Sequence, residues 1–287
     1  MTTATTTALN PTLDLPKARR SLTSVRLTRS RGDAVAAVPA ALRSEWIKLR
    51  SLRSTKAILA LTVVMGVLLS WILATFVKTD PNTDEVFTIG QTFIFSTWLT
   101  TVLATITGTL LFTSEVQHGT LAGVVAAQPA RWVSVAAKAV TASCFGLVMG
   151  VTGMAAGLAG AVLGGLDAGD TSGMAATALW GLLLTTMAPT FGLGVGMIIR
   201  HSSAAVSTVL IWALVVENLI RGFAPPTLSR LMPFSAANGL LDIRAAGDTD
   251  ETLAAALSRV QDAFLFAGYS VAVLMIGTVL LYRRDTN

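Results

Sequence analysis

Six long stretches of the chain carry few or no charged side chains, and each is long enough to cross a membrane. A bilayer has a hydrocarbon core about 30 Å thick and an α-helix rises about 1.5 Å per residue, so one crossing takes about 20 apolar residues. Only 13% of the 287 residues are charged, too few to give a soluble core its polar shell. An all-α integral membrane protein with six transmembrane helices is therefore predicted. The predicted spans are 57–77, 88–113, 139–165, 174–199, 204–222 and 263–282.

The positions of Lys and Arg indicate how these helices are oriented. Eleven of the 21 basic residues precede the first apolar run. With the N-terminus in the cytoplasm, the cytoplasmic segments hold 16 basic residues and the external segments hold five. Since cytoplasmic loops are rich in Lys and Arg, both termini are predicted to be cytoplasmic, with 283–287 as the C-terminal end. Residues 1–37 lack an apolar stretch typical of a signal peptide and are predicted to be a disordered basic tail.

The sequence contains no motif that would make the chain an enzyme or a nucleic-acid-binding protein. The net charge of +5 is not accompanied by a basic patch with interleaved aromatic residues. Cys144 is the only cysteine, and His118 and His201 have no neighbours at metal-ligand spacing. Neither a Gly-x-Ser-x-Gly elbow nor a Gly-x-x-x-x-Gly-Lys phosphate loop occurs. We therefore predict no catalytic residue, no metal site and no cofactor in this chain.

The segment before the first span has the pattern of an amphipathic helix. In "VPAALRSEWIKLRSLRSTKA", apolar residues recur at helical spacing, and basic residues lie off that stripe. We predict an interfacial helix over 38–56, with tryptophan at headgroup depth and basic side chains at lipid phosphates. An ordinary helical lead-in to the first span is the alternative. The residues that characterise this helix are Glu45, Trp46, Lys48 and Arg50.

The third predicted span has glycines at steps of three and four residues, which places them on one helix face. Small residues on one face let two helix backbones approach closely. Tight packing within the bundle is the preferred interpretation, and a seam that slides during transport is the alternative. The glycines are Gly150, Gly153, Gly157, Gly160 and Gly164.

The connection between the fifth and sixth spans is too apolar in its first half for an ordinary loop. Short re-entrant helices are predicted there, because backbone at membrane depth must be buried against protein or line water. Glu217 and Arg221 lie four residues apart on one helix face and are predicted to pair near the external surface.

The most informative polar interruption is "FTSEVQHGTLAGVVAAQPARW", residues 112–132. Glu115 ends the second span in water, where it could accept hydrogen bonds from Arg or Lys of a partner. Gly119 permits a turn, and Thr120 could cap a following short helix. Leu121, Val124 and Val125 would give that helix an apolar face, which a plain loop would not need. We therefore predict a docking helix, with a plain loop as the alternative.

Three motifs resemble those of the ABC type-2 exporter permease family, particularly its actinobacterial branch. "SEWIKLRSLRST" (44–55) resembles the family's elbow helix, and "SEVQHGTLAGVVAAQPARWVSVAAK" (114–138) resembles its cytoplasmic coupling segment. "VENLIRGFAPPTLSRLMPFSAANGLL" (216–241) resembles the end of the fifth span and the outer re-entrant portion. The resemblance covers about residues 40–285. It departs at Val116 and Gln117, where relatives often have an aromatic and a basic residue.

The resemblance implies a permease subunit that forms a translocation path and is coupled to a separate ATPase subunit, which would bind ATP and Mg. It also implies a second permease subunit, identical or related, and a location in a bacterial cell membrane in contact with lipid. The coupling helix would dock on the ATPase through Glu115, His118, Gly119, Thr120, Leu121, Val124, Val125 and Arg131.

The sequence is also compatible with a second class of function, and it disfavours two others. A non-transporting membrane anchor or regulatory subunit could present the same docking helix to a cytoplasmic partner. An ATP-independent channel or secondary transporter would need an ionisable group well inside a span or a polar filter, and neither is visible. An intramembrane enzyme would need converging polar residues, which the spans lack.

Overall fold

A computed structural model describes residues 38–51, 53–79, 89–120, 131–166, 173–243, 250 and 254–284. Every regular element within these ranges is helical. A π-helical turn, Trp212–Val216, connects the sixth and seventh α-helices. The α-helices are α1 (Val38–Ser51), α2 (Arg53–Thr79), α3 (Ile89–Gln117), α4 (Arg131–Leu163), α5 (Met174–Ile199), α6 (Ser202–Ile211), α7 (Glu217–Phe223), α8 (Pro226–Ser229), α9 (Pro233–Leu240) and α10 (Arg259–Arg284).

Six helical stretches of the described chain are long and apolar enough to cross a membrane, which confirms the predicted six-span all-α architecture. Several helices extend beyond the predicted spans, because the prediction counted only apolar residues. Thus α4 begins at Arg131, whereas the predicted span began at 139. The stretches are Arg53–Phe76, Ile89–Gln117, Trp132–Leu163, Met174–Ile199, Ser202–Phe223 and Arg259–Arg283.

Because consecutive spans alternate in direction, the bundle has two distinct ends. One end holds α1, the C-terminus of α3 and the N-terminus of α4, and we call it the α1 end. The opposite end holds α8 and α9, and we call it the α9 end. The predicted tail, 1–37, and residues 285–287 lie outside the described residues.

Helices α3, α4 and α5 form the centre of the bundle. The most apolar windows of α3 and α5 are each 56% buried, against 22% for α2. The contact between α3 and α5 is the most extensive between the described helices, and α5 also packs on α4 and α10. A Cβ at Gly192 of α5 would collide with the carbonyl oxygen of Thr105 in α3, so the two backbones are in direct contact. A movement of α3 would therefore displace α5 directly.

The centre of α3 is rich in threonine, and its hydroxyl groups are satisfied within the helix. Six buried threonines each donate to the carbonyl oxygen four residues earlier: Thr97, Thr100, Thr101, Thr105, Thr107 and Thr113. Because these hydroxyls need no partner from another helix, their methyl-bearing surface can pack against neighbours.

The glycine series of α4 lies at packed helix contacts, but it serves three neighbouring helices rather than one. A Cβ added at Gly150 would collide with α5. A Cβ added at Gly153 or Gly157 would collide with α3, and one added at Gly160 or Gly164 would collide with α2. One glycine-bearing face of α4 therefore packs closely against α5, α3 and α2 in turn along the length of α4.

Two short helices, α8 and α9, occupy the region for which short helices were predicted. Each begins with a proline in its first turn, where the missing N–H group costs no hydrogen bond. Helix α9 packs on α10 and α5, and the ring of Phe234 meets Phe191 edge-on with centroids 6.1 Å apart. The α9 end is thus closed by a buried short helix.

Candidate functional site

Four charged side chains from three helices meet at the α1 end, and we call them the ion cluster. The ammonium nitrogen of Lys138 in α4 lies 2.7 Å from Oε2 of Glu45 and 2.8 Å from Oε1 of Glu115. The ammonium nitrogen of Lys48 in α1 lies 2.7 Å from Oε1 of Glu45 and 3.2 Å from Oε1 of Glu115. Two carboxylates and two ammonium groups balance each other's charge within the cluster.

Three members of the ion cluster are buried and one is accessible. The side chains of Lys138, Glu45 and Glu115 are 7%, 9% and 11% exposed, whereas that of Lys48 is 38% exposed. Buried charges are tolerated only when they are paired and hydrogen-bonded, and these three are. Glu45 and Lys48 lie one helical turn apart on the face of α1 that also buries Leu49.

The surroundings favour the charged forms of both α1 members. Burial by itself raises the pKa of Glu45, but the charges and hydrogen bonds of Lys138 and Lys48 outweigh it, so this pKa lies below 4.5. Burial by itself lowers the pKa of Lys48, but hydrogen bonds and charge from Glu45 and Glu115 outweigh it, so this pKa lies above 10.5. Both side chains therefore remain ionised at neutral pH.

A Schellman motif ends α3 at Gln117, two residues after Glu115. Gly119 adopts the left-handed region with a φ of 67°, and its N–H group donates to the carbonyl oxygen of Val116 at 3.2 Å. The N–H group of Thr120 donates to the carbonyl oxygen of Glu115 at 3.0 Å, and the Thr120 hydroxyl donates to the same oxygen. The chain turns at Gly119, where the sequence predicts a turn, because glycine enters this conformation without strain.

The structure corrects the predicted environment of Glu115. This side chain was expected to lie in water, but it is only 11% exposed and is bonded to Lys138 and Lys48 of its own chain. Its predicted docking on a partner stays a prediction. His118 is exposed, and its Nδ1 donates to the carbonyl oxygen of Ser114 at 2.7 Å. The other predicted docking residues, Leu121, Val124, Val125 and the side chain of Arg131, lie outside the described residues.

A cavity of about 380 Å³ opens beside the ion cluster, between α1, the start of α2, the end of α3 and α4. Most of its wall area is apolar, but six lining residues besides the charged ones carry a hydroxyl or imidazole group. They are Ser51, Ser54, Ser114, Thr120, Thr141 and His118.

The residues predicted for the amphipathic helix divide between two faces of α1. Glu45 and Lys48 face the bundle, as part of the ion cluster. Trp46 is 39% exposed and Arg50 is exposed on the other side. The helix is therefore anchored through its charged residues and leaves a tryptophan on its free face.

The predicted ion pair between Glu217 and Arg221 is not formed. The carboxylate of Glu217 is buried and accepts the N–H groups of Phe234 at 3.0 Å and Ser235 at 2.8 Å. It also accepts the indole N–H of Trp212 at 2.8 Å. Arg221 instead donates to the Ser235 hydroxyl at 3.4 Å. Because the first N–H groups of a helix have no partner within it, Glu217 acts as a distant N-terminal cap of α9.

Sequence reasoning missed Lys138, the residue that joins the two buried carboxylates. A signal for it existed: Glu45, Glu115 and Lys138 are charged, lie near predicted span ends on the same side, and have complementary signs. The π-helical turn, Trp212–Val216, was also missed, and it directly precedes Glu217. Within the described ranges there is no group of three or more His, Cys, Asp and Glu side chains able to hold a metal ion.

Comparison with known families gives a match over most of the chain. The profile of the family described as "ABC-2 family transporter protein" matches residues 41–228, which run from α1 into α8 and include the whole ion cluster. No curated protein is significantly similar to the chain.

Proposed function

The chain belongs to the ABC-2 transporter family as a membrane permease subunit of an ABC transporter, and we propose that it is an exporter subunit driven by a separate ATPase. In this proposal the ATPase binds ATP and Mg, and the permease contributes no catalytic group. The α1 end faces the cytoplasm, in line with the distribution of Lys and Arg, and the membrane is a bacterial cell membrane.

The ion cluster is the observation that carries this proposal. The segment 118–131 contains all the predicted docking residues except Glu115. Glu115 lies just before this segment and Lys138 lies soon after it, and their charged groups are 2.8 Å apart. Both ends of the segment are therefore held together, and Lys138 continues the connection to Glu45 of α1. A displacement of the segment would be passed to α3, α4 and α1 as one unit, because buried charge pairs resist separation.

The packing of the bundle supplies a route from this unit to the rest of the span region. Helix α3 contacts α5 more extensively than any other two described helices contact each other, and α5 in turn packs on α10. In the proposed cycle, two permease subunits, identical or related, enclose a path between them. ATP closes the two ATPase subunits, which press on the segments 118–131, and the bundles switch to release the substrate outside.

The test is to co-express the tagged chain with the ATPase subunits encoded in the same genome and to purify through the tag. Two variants address the docking region: Glu115→Gln removes a charge from the ion cluster, and Gly119→Pro is incompatible with a φ of 67°. Asp242→Asn is the matched control, because it removes a carboxylate from an ion pair with Arg259 at the opposite end. We expect an ATPase to co-purify and hydrolyse ATP with wild type and control, and to be lost or uncoupled in both variants.

Two results would contradict the proposal. Solute transport by the chain alone in liposomes would indicate an ATP-independent transporter. An ATPase that binds without any transport in the reconstituted complex would instead indicate a regulatory anchor.

A further inference from the structure

We propose that the cavity beside the ion cluster receives an arginine side chain of the ATPase subunit, which takes the place of Lys48 on Glu115. This inference rests on the proposed function, because it specifies the chemistry by which the same partner docks. The inference goes beyond the proposed function, since an ATPase could dock on the segment 118–131 without entering the cavity.

The two lysines of the ion cluster are not equivalent. Lys138 is 7% exposed and lies within 2.8 Å of both carboxylates, so its removal would leave charges buried without compensation. Lys48 is 38% exposed, and its 3.2 Å contact with Glu115 is the longest in the cluster. Its other contact, with Glu45, lies within α1 and survives if Lys48 turns away from Glu115. Lys48 is therefore the exchangeable cation, and Lys138 is the fixed one.

Glu115 has hydrogen-bonding capacity that its own chain does not use. Both lysines bond to Oε1, whereas Oε2 is buried and has no hydrogen-bond partner. A buried acceptor without a donor destabilises the structure. A guanidinium group bonds both oxygens of a carboxylate through two parallel N–H groups, which one ammonium group cannot do as well. An arginine in the place of Lys48 would satisfy Oε2.

The cavity offers acceptors for the remaining N–H groups of a guanidinium, which has five in all. Thr141 lines the cavity and is only 5% exposed, and its hydroxyl has no hydrogen-bond partner among the described residues. Ser54 and Ser114 place two further hydroxyl groups in the same wall. The volume of about 380 Å³ lies near the lower end of small-ligand pockets, so one long side chain enters it without steric conflict.

The exchange would also change how α1 is held. Before docking, both lysines connect α1 to Glu115, Lys48 directly and Lys138 through Glu45. After docking, only the buried Lys138 connection would remain, so α1 would be less tightly tied to α3 when the ATPase is in place. A local replacement of one cation by another would thus alter the mechanical connection between two helices.

The experiment is a titration of the purified ATPase subunit onto the full-length permease in lipid nanodiscs. Lys48→Met removes the competing cation but keeps a long apolar side chain, and it should lower the Kd about two- to fivefold, the size expected for an exposed ion pair. Glu115→Gln should raise the Kd at least about tenfold. Thr141→Val keeps the side-chain volume without the hydroxyl and should raise the Kd by a few fold. Lys56→Met, an exposed lysine away from the cavity lining, is the control and should leave the Kd unchanged.

An unchanged Kd for Lys48→Met would overturn the inference, because no competition would then exist. A raised Kd for the same variant would also overturn it, since Lys48 would itself be binding an acidic group of the partner. A change that appears only in nanodiscs with anionic lipid would assign the cavity to a phospholipid headgroup instead. If wild type bound no ATPase under any condition, the proposed function itself would fail, which is a different result from all of these.

Discussion

The charged groups of Lys138 and Glu115 lie 2.8 Å apart, although 23 residues separate them along the chain. Lys138 is in the first turns of α4 and Glu115 is in the last turn of α3. The contact therefore joins the two helices next to the segment that connects them. The same ammonium group reaches Glu45 of α1. One buried lysine therefore holds together the three helices on which the proposed transmission depends.

Replacing Lys138 should destabilise the protein more than replacing any exposed lysine. Lys138→Met would leave two buried carboxylates with only the partly exposed Lys48 between them, and we expect a loss of about 3–5 kcal/mol in unfolding free energy. Lys138→Arg keeps the charge and should lose less. Thermal unfolding in detergent checks this, with Lys56→Met as the exposed control. Equal melting temperatures for Lys138→Met and Lys56→Met would show that the cluster contributes nothing to stability.

The contribution of Glu45 to folding stability should decrease when the pH is lowered. The pKa of Glu45 is lowered in the folded protein. Its contribution to folding stability is therefore complete at pH values above its pKa in the unfolded chain, and it is lost as the pH falls through the lowered pKa of the folded protein. The pKa of Lys48 is above 10.5, so its stabilisation is complete below the unfolded value and is lost only as the pH rises through the raised one. The melting temperature of wild type should exceed that of Glu45→Gln by a constant amount between about pH 5 and 10.

Below pH 4.5 this difference should shrink as Glu45 becomes protonated in both folded and unfolded chains. Melting temperatures of wild type and Glu45→Gln, measured across the pH range, test this expectation. A difference that grows on acidification would mean that Glu45 is uncharged in the folded protein.

Removal of the distant cap should loosen the N-terminus of α9 without unfolding the bundle. In Glu217→Ala the N–H groups of Phe234 and Ser235 lose their acceptor, and a lost cap typically costs about 1–2 kcal/mol. Hydrogen exchange followed by mass spectrometry should show faster exchange in the peptide that contains them. Arg221→Gln is the control, since it removes only the contact with the Ser235 hydroxyl. Equal acceleration in both variants would argue against capping by Glu217.

The contact between α3 and α5 should not tolerate one added methyl group. Gly192→Ala would drive a Cβ into the carbonyl oxygen of Thr105, and overpacking of this kind typically costs about 1–3 kcal/mol. Gly268→Ala is the matched control, because it is also a helical glycine but its Cβ would have no neighbour within 4 Å. The control should be neutral or slightly stabilised, since alanine favours helix over glycine. Similar melting temperatures for the two variants would contradict the close approach of α3 and α5.

Features that depend on local composition could be predicted from the sequence, and features that depend on distant pairing could not. The bounds of α5, Met174–Ile199, agree with the predicted span because uncharged residues fill it from end to end. The partners of Glu115 could not be predicted, because they come from α1 and α4 and are specified by packing rather than by spacing. Spacing also misled at Glu217: its predicted partner Arg221 lies four residues on, but backbone N–H groups of α9 already occupy the carboxylate.

Cross-linking from Thr120 tests the central claim, docking at the segment 118–131, most directly. Thr120 is exposed beyond the turn at Gly119, and Cys144→Ala removes the only native thiol. A photoreactive label on Thr120→Cys should capture a nucleotide-binding ATPase subunit from the assembled transporter, whereas the same label on Asp242→Cys at the α9 end should not. Capture from both positions, or from neither while the complex still transports, would contradict docking at this segment.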